Sequence, residues 1–205
     1  MTANCALAAR LKQETASLHR CVEEKVGLPG SVRTRTEYGE LLQRLLTFHL
    51  AFGATLATPI WIEEWRRTGI TLGDHDRSPN LIDDLAHLNQ SAKTHDEAEQ
   101  VSPKFTSFAE ALGGLYVIEG SSLGGKILAP AFRTHLGNVP TRYFESYGRE
   151  FPLPWRSVQS ALTRFEPGHV LADQVIFGAT STFSSFGNYL AAPLWQESDG
   201  NMERV

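Results

Sequence analysis

The stretch Leu112-Gly113-Gly114-Leu115-Tyr116-Val117-Ile118-Glu119-Gly120-Ser121-Ser122-Leu123-Gly124-Gly125-Lys126-Ile127-Leu128 decides the fold, because it sets five glycines in what otherwise reads as a long apolar helix. Each interior glycine costs roughly 0.5–1 kcal/mol relative to alanine, so their presence requires a use. At 100° per residue, Gly113, Tyr116, Gly120 and Gly124 fall within about 40° of one line, with Ser121 on its edge. The result is a bare backbone stripe. Either a second helix packs closely on it through small residues, or a flat ligand lies against it; the stretch alone leaves both open.

Around this helix the chain is large enough for one well-filled core and too short for two comfortable ones, with 205 residues of which 41% are hydrophobic. One domain over residues 1–195 is expected, with a polar tail at 196–205. The formal charge of −4 offers no basic footprint for nucleic acid or anionic lipid. Cys5 and Cys21 share one predicted helix at roughly 24 Å separation, too far to bridge, which suggests a reducing compartment. The N-terminus has no signal-peptide pattern and no apolar run approaches a membrane span, so a cytoplasmic protein without membrane or nucleic-acid partners is expected.

Leu7, Leu11, Leu18, Val22 and Val26 recur at helical spacing and predict a first helix over 5–27, capped at Asn4 and stopped at Gly27-Leu28-Pro29-Gly30. Lys12, Thr15, His19 and Glu23 share one flank of it. A second helix is expected over 35–66, with Pro59 marking a kink or an end, and a shorter one after a cap at Ser78 or Asn80. The polar stretch 89–103 reads as a mobile loop. The glycine-bearing helix is expected over 105–135. After it come a helical turn at Tyr143-Phe144-Glu145-Ser146-Tyr147, a helix from Trp155 to Leu162, and a last helix over 168–191 with Val170, Val175, Ile176, Phe183, Phe186 and Leu190 facing in. Only Leu115-Tyr116-Val117-Ile118 alternates at period two, and it is short. The fold class is all-α.

Gly120-Ser121-Ser122-Leu123-Gly124-Gly125-Lys126 fills seven places of a phosphate-binding loop, but Ile127 stands where a hydroxyl must reach magnesium, and no βαβ pattern surrounds it. The histidines show no zinc-type spacing. A single histidine on a helix flank is enough, however, to hold a haem iron.

The sequence resembles the haem oxygenase family, in particular the bacterial haem oxygenases that serve bacteriophytochromes. The resemblance is carried by Glu14-Thr15-Ala16-Ser17-Leu18-His19-Arg20-Cys21-Val22-Glu23 and by Leu115-Tyr116-Val117-Ile118-Glu119-Gly120-Ser121-Ser122-Leu123-Gly124-Gly125, and it extends over residues 6–191. It implies a single-domain helical bundle with haem b, both substrate and cofactor, between a proximal helix and a glycine-kinked distal helix. His19 would be the proximal iron ligand, with Glu23 one turn on fixing its second nitrogen. Gly120, Ser121 and Gly124 would be the catalytic positions, the glycine backbone of Gly120, Gly124 and Gly125 lying against the macrocycle. With O2 and an external electron donor such as a ferredoxin or a reductase, the implied products are biliverdin, carbon monoxide and ferrous iron, the bilin going to a bacteriophytochrome.

Lys12 matches a family lysine that pairs with a haem propionate, and Tyr116 and Arg156 are candidates for the same task. Thr15 lies on the His19 flank, and Phe183 matches a family phenylalanine packed on the haem. One departure stands out. Many members carry an aspartate where this chain has Ser121, and that aspartate anchors a water network; serine can hold a water but brings no charge. The alternatives are a non-catalytic haem carrier of the same fold and a helical protein without haem.

Overall fold

A computed structural model describes residues 6–93, 101–145, 153–165 and 170–192. Asn4, Cys5, much of the expected loop at 89–103, Ser146, Tyr147 and the tail at 196–205 lie outside the described residues. Those described are helical, with turns between and no strand among them. The all-α expectation therefore holds, and Leu115 to Ile118 belong to a helix.

The first helix, α1, spans Ala6–Val26. Its Leu7 and Leu11 are buried, whereas Leu18, Val22 and Val26 are only half covered. Val22 and Val26 border a cavity. The chain leaves the helix through Gly27, at φ +67, a left-handed conformation that suits glycine.

Helix α2 spans Arg35–Leu56 and starts from a reciprocal cap, Thr34 Oγ1 accepting from the Glu37 amide at 3.1 Å while Glu37 Oε2 accepts from the Thr34 amide at 3.1 Å. The expected single helix over 35–66 is corrected here. Pro59 pushes Thr58 to ψ 127, out of the helical region, and the chain passes through a 3₁₀ turn, Pro59–Trp61, into α3, Ile62–Thr68, bent 62° from α2. Helix α4, Ser78–His87, is capped by neither Ser78 nor Asn80: Asp76 Oδ1 accepts the Ser78 amide proton at 2.9 Å.

The glycine-bearing segment also departs from expectation, forming two helices, α5 (Phe108–Ser122) and α6 (Gly125–Leu136). Ser107 Oγ caps α5. At its end, Ser121 and Ser122 hydroxyls donate to the carbonyls of Ile118 and Glu119, and the Leu123 and Gly124 amides bond three residues back. That tighter pattern ends the α-helical ladder one turn after Gly120. Three further helices follow: α7 (Arg142–Glu145), α8 (Leu153–Leu162) and α9 (Val170–Ala191).

Helix α9 is the spine, packed along both α5 and α1. A β-carbon on Gly113 would stand 1.9 Å from the Val175 carbonyl oxygen, and one on Gly178 would stand 2.0 Å from the Glu110 carbonyl oxygen, so α5 and α9 meet backbone to backbone. Val175, Ile176, Phe183 and Leu190 face in as expected, but Val170, at the first turn, is 63% exposed. Two apolar clusters result, one among α1, the end of α2, α3, α5, α8 and α9, and one among the start of α2, α4, α6, α7 and Leu190 of α9.

Candidate functional site

Between the lower half of α1 and the junction of α5 with α6 lies a cavity of about 610 Å³, within the usual size of small-molecule sites. Its α1 wall carries His19, Val22, Glu23 and Val26; its opposite wall is the backbone of Gly120, Ser121 and Gly124. Phe183 and Phe186 from α9 close one side. The lining is mostly apolar, which suits a flat hydrophobic ligand with a few polar anchors.

His19 lies half-exposed on this wall, its Nδ1 3.5 Å from Glu23 Oε2. A carboxylate beside Nδ1 favours the proton there, and Nε2 is then the nitrogen with a free lone pair. The Phe183 ring stands edge-on to the imidazole, centroids 5.4 Å apart, and restricts its rotation.

The glycines divide by cause. At Gly113, Gly114 and Gly125 a β-carbon would meet Val175 O at 1.9 Å, the Phe105 ring at 2.4 Å and Phe144 O at 2.1 Å. Backbone contact requires glycine at Gly113 and Gly125, and at Gly114 the Phe105 and Thr182 side chains would have to shift. At Gly120 a β-carbon would meet only the Trp155 ring, at 3.6 Å, and at Gly124 only Ser121 O, at 3.3 Å. Protein packing gives no comparable reason for Gly120 and Gly124, and both face the cavity. They leave room there for something the chain itself does not supply.

No protein-family model matches the chain. A curated protein, the haem oxygenase of Xanthomonas campestris pv. campestris (strain 8004), is 39% identical over 119 residues, 57% of this chain and 68% of that one. The chain belongs to the haem oxygenase family. The fold agrees: the haem oxygenase of Neisseria meningitidis, solved with NO and CO bound, superposes with TM-score 0.71 at 22% identity, covering 94% of each chain. Haem oxygenase 2 of Chlamydomonas reinhardtii, solved without haem, gives TM-score 0.70 at 16% identity over 92% of this chain and 98% of its own.

In this member of the haem oxygenase family, seven of the residues singled out in the sequence border one cavity: His19, Glu23, Gly120, Ser121, Gly124, Gly125 and Phe183. Ser121 Oγ donates to the Ile118 carbonyl at 2.8 Å, so its only proton is committed to the helix and its lone pairs remain. Four other residues lie off the lining. Thr15 is buried and bonds the Leu11 carbonyl at 2.7 Å. Lys12 and Arg156 are exposed. Tyr116 packs its ring on Trp155, centroids 5.2 Å apart, which covers the upper part of the glycine stripe.

Two polar groupings beside the cavity escaped sequence reading. Tyr143, which lines the cavity, has its hydroxyl 2.9 Å from His49 Nε2. Burial, reinforced by the Arg77 charge, lowers His49 to a pKa of about 4, so the imidazole is neutral near pH 7. The second grouping joins Glu119, His75 and Arg77, all buried. His49, His75 and Arg77 are scattered along α2 and the turn before α4, and no sequence spacing links them. Glu119 did leave a signal, a carboxylate directly after the apolar run Leu115 to Ile118.

Proposed function

We propose that this chain is a haem oxygenase in the full sense, cleaving haem to biliverdin, carbon monoxide and ferrous iron with O2 and an external electron donor. The observation that carries it is the opposition of His19 to the bare backbone of Gly120 and Gly124 across one apolar cavity. Bound haem would supply the iron that takes up O2 and the macrocycle that is oxidised. His19 Nε2 would hold the iron from the α1 side, with Glu23 keeping the Nδ1 proton in place. Gly120 and Gly124 let the α5 backbone approach the opposite face, where no side chain larger than a serine can act as an acid–base group on the open wall.

Phe183 holds the imidazole plane, and the mostly apolar lining suits a macrocycle. Lys12 and Arg156, both exposed, belong to this reading as partners of the haem propionates on the strength of the sequence resemblance. A ferredoxin or reductase as donor and a bacteriophytochrome as recipient belong to this reading on the strength of the sequence resemblance, and a cytoplasmic setting on the strength of the cysteine spacing and the N-terminal sequence. Among the described residues no single helix is long and apolar enough to cross a membrane.

A second reading, a haem carrier, is favoured by Ser121, which is uncharged and whose proton is already committed. Axial ligation is tested by His19→Ala. The variant is expected to lose the spectrum of histidine-ligated ferric haem and to regain it with added imidazole; a spectrum identical to wild type removes His19 from the site.

A further inference from the structure

One residue before Gly120, and outside the cavity lining, Glu119 is fully buried. Its Oε1 lies 2.9 Å from His75 Nδ1, and both carboxylate oxygens lie 3.4 Å from an Arg77 guanidinium nitrogen. His75 belongs to the 3₁₀ turn Leu72–His75, Arg77 directly precedes α4, and His75 Nε2 lies 3.4 Å from Ser157 Oγ on α8. The turn, the start of α4 and α8 are thereby tied to one carboxylate on α5.

Core filling does not call for such a group, as its buried neighbours Val117 and Ile118 show. Taking ions out of water is unfavourable by several kcal/mol each before pairing, and a buried pair often stabilises less than well-packed apolar residues. The use such groups have is to select one arrangement. Here the segment to be selected is the end of α5. Glu119 carbonyl accepts the Ser122 hydroxyl at 2.6 Å, the helical ladder tightens at Leu123 and Gly124, and the glycine backbone there has no side chains of its own to lock it.

We propose that Glu119 is a positioning residue: its buried bonds to His75 and Arg77 set how far the Gly120–Gly124 backbone stands into the cavity, and hence which edge of a bound macrocycle is presented for oxidation. The second half of this inference rests on the haem oxygenase reading; the first half does not.

Glu119→Gln keeps the shape and a hydrogen bond to His75 while removing the charge. Hydrogen exchange on the haem-free chain is expected to speed up roughly tenfold or more at the amides of 118–125, with peptides from the buried part of α9 unchanged. With haem, O2 and a reductant, the variant is expected to release a mixture of bilin isomers different from wild type, and Glu119→Asp to restore part of the wild-type pattern. His75→Asn, which loosens the same clamp from the other side, should give the same local change and serves if Glu119→Gln does not fold. Unchanged exchange overturns the proposal, and so does loosened exchange with an unaltered isomer mixture. Wild-type protein that forms no bilin refutes the haem oxygenase reading instead, and the exchange arm then decides the role of Glu119 by itself.

Discussion

At the scale of single residues, two glycines five positions apart in one motif have different reasons to exist. Gly125 is held by contact, since its β-carbon would stand 2.1 Å from the Phe144 carbonyl oxygen. Gly120 is held by nothing the chain provides. Gly125→Ala is therefore expected to cost about 1–3 kcal/mol in chemical denaturation, the usual range for overpacking against a part that cannot yield. Gly120→Ala should leave folding within about 0.5–1 kcal/mol of wild type, alanine being the better helix former, and weaken haem binding instead. Equal stability losses in the two variants would mean that both glycines serve packing. Sequence periodicity placed Gly113, Gly120 and Gly124 on one stripe but could not separate them, because their difference lies in Val175 and Trp155, which reach them from α9 and α8.

At the scale of elements, the short helix α7 depends on a residue more than fifty positions away. Asp84, fully buried on α4, accepts the Arg142 amide at 3.0 Å and the Tyr143 amide at 2.9 Å, and so caps the helix that presents Tyr143 and Phe144 to the cavity. Asp84→Ala is expected to cost about 1–2 kcal/mol, because it leaves two part-buried amides without an acceptor. The loss should appear as selective exposure of Tyr143 in near-ultraviolet spectra; a stability change below about 0.5 kcal/mol would contradict the cap. Which segments are helical was legible in the sequence from apolar spacing, as in Leu7 and Leu11. Where helices end was less so. Pro59 announced a break that α2 reaches early, at Leu56, whereas the end of α5 at Ser122 is set by serine hydroxyls turning back onto Ile118 and Glu119. The start of α2 was placed from spacing alone; the capping box of Thr34 and Glu37 that fixes it is seen in the structure.

At the scale of the whole molecule, α9 holds the two cavity walls apart, meeting α5 at Gly178 and α1 at Gly187, whose β-carbon would stand 2.5 Å from Val22. The histidine and the glycine turn that line the cavity were legible as candidates because each carries a local signature. The depth of the pocket and the polar groups beside it were not, since they form only when α2, α4 and α7 converge. One of them governs acid stability. His49 has a folded pKa of about 4 against an ordinary 6.5, with burial the larger cause and the Arg77 charge the next. Unfolding lets it take up a proton between those values, so stability is retained above pH 6.5 and falls as the pH drops toward 4, by about 3 kcal/mol in all from this group. Denaturant titrations from pH 7 to 4 should show that slope, and His49→Gln should flatten it; an equal slope in the variant would place the acid sensitivity elsewhere.

On the proposed function, the cavity between His19 and the Gly120–Gly124 backbone binds haem in order to destroy it. Purified protein mixed with one equivalent of haem, a chemical reductant and air, followed by absorption spectroscopy, tests it most directly. The Soret band is expected to decay while a biliverdin band grows. A Soret band that persists unchanged under those conditions would contradict the claim and leave a haem carrier in its place.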